Sequence, residues 1–146
     1  MIRGLAHAAI TVEDMERSLA FYRDLLGFRV VRALKLPDGG RGLLLDVGSR
    51  GELEIFERPK KRPLPEGYGH PETIGLWHLA LEVDDVASEW ARLEEKGVRP
   101  LAPDQPLFRK PGGPRCCHFL DPDGVVVEMI EPPDKWWPRS TEAQAS

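Results

Sequence analysis

At 146 residues, with 41% hydrophobic and 30% charged side chains, the chain has the size and make-up of one ordinary globular domain. A net charge of −4, with no long basic run beyond Arg58-Pro59-Lys60-Lys61-Arg62 in a Pro-rich connector, argues against a nucleic-acid partner. No apolar stretch approaches the roughly 20 residues of a membrane span, and the N-terminus lacks a signal-peptide core, so a cytoplasmic protein with no membrane partner is expected.

Ile2 to Ile10 reads as a strand, and Thr11-Val12-Glu13-Asp14 offers a helix start with acidic residues near the positive end of the helix dipole. Met15, Leu19, Tyr22 and Leu26 then recur at helical spacing, and Gly27 ends the stripe. Phe28 to Leu36 and Gly42 to Val47 flank the hairpin-like cluster Pro37-Asp38-Gly39-Gly40, and Gly51 to Glu57 supplies a last strand. The order is strand, helix, three strands. Pro59, Pro63, Pro65, Gly67, Gly69 and Pro71 mark an irregular connector.

The pattern then repeats. A strand over Gly75 to Val83 leads through Asp84-Asp85 to a helix with Val86, Trp90 and Leu93 on one face, stopped by Gly97. After Val98 to Leu101 comes a Pro-rich loop, Pro103 to Pro114, and then two strands joined by Asp121-Pro122-Asp123-Gly124. A three-residue loop there pairs Asp121 with Val125 and sets His118 across from Glu128. The expected organisation is a first module over 1–58, a linker over 59–73, a second module over 74–131 and a tail over 132–146. In that tail Trp136 and Trp137 are read as docking onto the chain's own surface, ahead of a subunit contact or a lid.

Two histidines and two glutamates recur at equivalent places. His7 lies in Leu5-Ala6-His7-Ala8-Ala9-Ile10 and His78 in Leu76-Trp77-His78-Leu79-Ala80-Leu81, 71 residues later. Glu54 closes the first half in Leu53-Glu54-Ile55-Phe56, and Glu128 follows it by 74 residues in Val127-Glu128-Met129-Ile130. A charge in a short apolar strand is costly unless it is paired or coordinated. Each residue alone is adequately explained as a satisfied core histidine or a solvent-facing carboxylate, but four at duplicated positions form a metal-ligand set of His7, Glu54, His78 and Glu128. The strand period of two lets such ligands share one concavity while their neighbours pack the outer face. Cys116 and Cys117 are adjacent, so a bridge between them is geometrically poor; they are read as free thiols filling a strand, with pocket lining second.

This constellation resembles the vicinal oxygen chelate superfamily, which includes glyoxalase I, extradiol dioxygenases, methylmalonyl-CoA epimerase and the bleomycin resistance proteins. The resemblance covers residues 2–131 and rests on His7, the Val12-Glu13-Asp14 and Phe21-Tyr22-Arg23-Asp24-Leu25-Leu26-Gly27-Phe28 segments, Glu54, His78 to Asp85, and Asp121-Pro122-Asp123-Gly124 followed by Glu128. It implies an α+β fold of two paired βαβββ modules forming an open, barrel-like mixed sheet around a divalent metal: Ni, Zn, Co, Mn or Fe(II). It further implies a lyase or isomerase acting by proton transfer on a small-molecule substrate, an α-oxygenated carbonyl compound, through a metal-stabilised enediolate, and a homodimer. The His, Glu, His, Glu order resembles bacterial glyoxalase I, whereas the epimerase usually has Gln at the Glu54 position. Thr11 and Arg58 replace an Arg and an Asn that glyoxalase I uses to hold glutathione, which weighs against a glutathione substrate, while Lys110 matches a basic residue kept before the final hairpin.

The catalytic candidates are Glu128, Glu54 and His118, and the substrate-binding candidates are Lys110 and Arg115. Two other functions compete. An Fe(II)-dependent extradiol dioxygenase would use three of the ligands, although His118 stands where that family has a Tyr. A resistance-type protein would bind an antibiotic or metabolite without turnover.

Overall fold

The computed structural model describes residues 1, 2, 4–48 and 51–132, so the tryptophan pair of the tail lies outside the described residues. The chain forms two compact units, Met1–Pro65 and Glu66–Ser146. In the first, β1 (Ala8–Val12) is followed by α1 (Met15–Leu19), a π-helical segment (Ala20–Leu25), β2 (Arg29–Lys35), β3 (Arg41–Gly48) and β4 (Gly51–Glu57). In the second, β5 (Leu79–Glu82) precedes α2 (Val86–Glu95), β6 (Phe108–Arg109), β7 (Arg115–Leu120) and β8 (Val126–Ile130). Each unit is a βαβββ module whose open, four-stranded mixed sheet runs β1-β4-β3-β2 or β5-β8-β7-β6, with only the first pair parallel. The α+β reading of the sequence holds.

Both helices start where side chains can cap them. Asp14 Oδ1 accepts the backbone N–H of Arg17 at 2.7 Å, and Asp85 Oδ1 accepts that of Ser88 at 2.7 Å, satisfying donors that have no partner within a helix. The apolar stripe of α2 buries Val86, Trp90 and Leu93 as its spacing predicts, and Trp90 meets Phe119 of β7 with ring centroids 6.5 Å apart. The first helix departs from its pattern. After Leu19 it winds with i→i+5 hydrogen bonds, Leu26 N–H to Phe21 O and others, so Phe21 and Tyr22 are both buried while Leu26 is only half-buried.

The first strand of each module is shorter than its apolar sequence predicts, because its partner runs out. Ala8 pairs with Leu53, only two residues beyond the start of β4, and Leu79 pairs with Val127, one beyond the start of β8. Backbone amides without a ladder partner do not hold a strand. His7 and His78 therefore stand immediately before β1 and β5. The third element of the second module also differs: Pro100, which has no N–H to give, makes a single bridge to Phe119, and the paired strand is β6, inside the expected Pro-rich loop.

The β7–β8 turn closes as its sequence predicts. Asp121 N–H donates to Val125 O at 2.9 Å, Gly124 takes the left-handed conformation at φ +90°, and His118 sits opposite Glu128. Asp121 is buried, and its Oδ1 accepts from the backbone of Asp123 at 2.9 Å and of Val125 at 2.7 Å. We expect Asp121→Ala to orphan those two donors and to lower stability by about 1.5–3 kcal/mol. Urea unfolding with an unchanged m-value checks this, and a midpoint equal to that of the wild type refutes it.

Candidate metal centre

Strand register builds the same pair twice. Ala9 lies beside Glu54 and Ala80 beside Glu128, and in each case the histidine is two residues before the alanine, on the same side of the extended chain. His7 Nε2 is 3.3 Å from Glu54 Oε2, and His78 Nε2 is 3.2 Å from Glu128 Oε2. The two pairs differ in burial: the side chains of His7 and Glu54 are 43% and 20% exposed, those of His78 and Glu128 17% and 2%. The pairs lie in separate units, one in each.

The second unit adds groups that the first lacks. Across from Glu128 stands His118, whereas across from Glu54 stands Leu44. His118 Nε2 and Lys110 Nζ approach Glu128 Oε1 to 3.3 and 2.9 Å, distances of ion pairs. Neither approach has the angles of a hydrogen bond, so Glu128 Oε1, His118 Nε2 and His78 Nδ1 remain buried without a hydrogen-bond partner. His78, His118 and Glu128 each offer a ligand atom within 4.8 Å of the others. Orphaned buried polar atoms are unusual in a folded chain, and a buried carboxylate with an imidazole beside each oxygen fits a borderline divalent cation. Lys110 shares the Glu128 oxygen, but its side chain is 32% exposed and has room to swing aside.

The electrostatics match this arrangement. Burial alone would push the Glu128 carboxyl up, yet His118, Lys110 and His78 outweigh it and hold the group at about 2, fully ionised at neutrality. Burial lowers the His78 pKa, which keeps its imidazole neutral and able to coordinate.

The structure gathers His78, Glu128, His118 and Lys110 in one unit. Arg115 is engaged elsewhere. Its guanidinium reaches buried Glu131 at 2.6 Å and the capping residue Asp85 at 3.0 Å, tying the start of β7 to the end of β8 and to α2. Arg58 sits 5.3 Å over the Phe56 ring and bonds Asp38 of the first hairpin at 2.8 Å. Sequence reasoning assigned no role to the aromatic residues beside the site. Trp77 lies 4.6 Å from His78 and 5.6 Å from His118, and Phe108 lies 5.1 Å from His118, between ring centroids. Trp77 was legible only as a bulky neighbour of a ligand candidate, and Phe108 not at all once its segment was read as loop.

A family model described as Glyoxalase/Bleomycin resistance protein/Dioxygenase superfamily matches residues 4–129. The protein YwkD of Bacillus subtilis (strain 168) is 33% identical over 134 residues, covering 90% of this chain and 98% of its own. The probable lactoylglutathione lyase of Synechocystis sp. is 30% identical over 137 residues, covering 90% of this chain and 97% of its own. Among solved structures, a glyoxalase family protein from Enterococcus faecalis superimposes with a TM-score of 0.73 at 33% identity, over 88% of this chain and 98% of that one.

Cys116 and Cys117 are both free and buried, on opposite faces of β7. Burial pushes each thiol up to about 12, so neither forms a thiolate at neutral pH. We expect iodoacetamide to label neither cysteine in the folded protein and both after denaturation without reductant. Rapid labelling of the native chain, or no labelling of the unfolded one, would contradict this.

Proposed function

As the chain belongs to the Glyoxalase/Bleomycin resistance protein/Dioxygenase superfamily, we propose that it is a metal-dependent enzyme of glyoxalase type, a lyase or isomerase that moves a proton on a small α-oxygenated carbonyl compound. The observation that carries the reading is the buried Glu128 carboxylate, with His78 Nε2 3.2 Å from one oxygen and His118 Nε2 3.3 Å from the other. The likeness to a probable lactoylglutathione lyase supports it.

In this proposal His78 and Glu128 hold the ion in the second unit, and His7 and Glu54 are the equivalent pair of the first. A divalent ion supplies Lewis-acid polarisation of adjacent substrate oxygens, which acidifies the neighbouring C–H. His118 is the proton carrier: its Nε2 lacks a hydrogen-bond partner and stands 3.3 Å from the ionised Glu128, where an imidazole can pass a proton to or from a substrate. Lys110, released from Glu128, binds an anionic group of the substrate. Arg115 has no part, because its guanidinium is committed to Glu131 and Asp85. Glu128, ionised and proposed to hold the ion, is not assigned the proton transfer.

A second reading is favoured by one observation: two histidines and one carboxylate form the donor set of non-haem Fe(II) oxygenases. In that case His118 is a ligand and the enzyme consumes oxygen.

Elemental analysis of protein purified without chelator is expected to find one divalent ion per chain, and chelation should abolish activity. Glu128→Gln should weaken metal affinity by about tenfold or more, since even residues one shell removed from a metal cost that much. Unchanged occupancy in both Glu128→Gln and His78→Ala would reject the centre. For His118→Phe we expect retained metal and activity lower by roughly 10²-fold, the scale of a lost general acid or base. Loss of the ion from His118→Phe, with oxygen uptake by the wild type in the presence of catechol, would instead establish the dioxygenase reading.

A further inference from the structure

The Glu128 cluster has an aromatic rim. Trp77, His78, His118 and Phe108 form a run of rings, with centroid separations of 4.6 Å (Trp77–His78), 5.2 Å (His78–His118) and 5.1 Å (His118–Phe108), all in the range of favourable ring contact. Trp77 is nevertheless 37% exposed, and Phe108 is half-buried. A large indole that touches two imidazoles and remains more than a third exposed is a contact surface only partly covered by the described residues. The nearby Ile74 and Leu76 are more exposed still, at 102% and 62%, but neither has a ring contact with the cluster. Trp77 joins this apolar edge to the His78–His118 pair.

Resting on the metal-enzyme reading, we infer that Trp77, with Phe108, is a specificity-determining surface that selects substrates whose α-oxygenated carbonyl carries an aromatic substituent. The polar end of such a molecule meets Lys110 and the His78–Glu128 pair, and its ring lies against the indole. A methyl group in place of the ring forfeits most of that contact. An aromatic substituent gains ring–ring contact with the indole that an aliphatic one of similar size does not.

The test compares phenylglyoxylate with pyruvate, two oxo acids that differ only in phenyl against methyl. Dissociation constants are measured by titration calorimetry on Zn(II)-loaded protein, in the wild type and in the Trp77→Ala and Trp77→Phe variants. We expect phenylglyoxylate to bind at least about tenfold more tightly in the wild type, the lower end of what an apolar subsite discriminates. Trp77→Ala should reduce that ratio to about threefold or less, and Trp77→Phe should retain most of it. Equal affinities in the wild type, absence of phenylglyoxylate binding, or an undiminished ratio in Trp77→Ala would each overturn the assignment; the last would mean that the indole merely shields the histidines. Chelated protein separates this inference from the metal reading. A Trp77-dependent phenyl preference in protein that elemental analysis shows to take up no divalent ion keeps the aromatic surface and rejects the ion, whereas metal-dependent binding of both acids with equal affinity keeps the ion and rejects the surface.

Discussion

A single ionised carboxylate, 1% exposed in a fully buried five-residue strand, sets the terms for the second unit. Isolated in a protein interior, such a charge costs several kcal/mol, and the chain can retain it only by surrounding it with positive or coordinating groups. β5 brings the His78 segment alongside Glu128, the Asp121 turn fixes the register that puts His118 opposite, and the loop after β6 returns Lys110 to the same oxygen. These three elements converge on one atom group from three directions. The opposite face of the same strands carries Cys117, Phe119, Val127 and Met129, the first two buried completely, and packs on Trp90 of α2. That apolar face supplies the burial energy that offsets the polar one.

Most of this arrangement was legible in the sequence, for identifiable reasons. A duplication at near-constant spacing is visible without any coordinates, and it singled out both histidines and both glutamates. Turn chemistry fixed a register: Asp-Pro-Asp-Gly permits few loop geometries, and one of them puts His118 against Glu128. Helix caps at Asp14 and Asp85 were equally readable, since short acidic side chains before an apolar stripe have few other roles.

What escaped the sequence depended on partners distant in the chain. The apolar residues Ile2 and Leu5 look like strand, yet a strand exists only where another backbone accepts its hydrogen bonds, and β4 begins too late to serve them. β6 is two residues long, below the length at which alternation carries a signal, and is defined by pairing with Arg115 and Cys116. The π-helical segment shifts the face of the first helix by one residue, a change that no fixed period describes. The commitment of Arg115 to Glu131 was hidden for the same reason: a basic residue beside a site reads as a ligand binder until its carboxylate partner, sixteen positions away, is seen.

The two units repeat a His–Glu pair and differ in what faces it. Equivalent registers set Leu44 against Glu54 and His118 against Glu128. Leu44 neither coordinates nor carries a proton, so the first pair faces no acid or base across the ladder, and Glu54 retains partial contact with water. In the second unit the same backbone position holds an imidazole, a lysine reaches the carboxylate, and the aromatic rim begins at the residue before His78. Duplication thus accounts for the symmetry of the His–Glu pairs, and divergence at one position per ladder accounts for the imidazole that faces only the second of them. A proton carrier on one side only is what a reaction needs when a proton must leave a defined face of a carbon and return to a defined place. The asymmetry between Leu44 and His118 is therefore the feature that distinguishes a catalytic reading of this chain from one of metal binding alone.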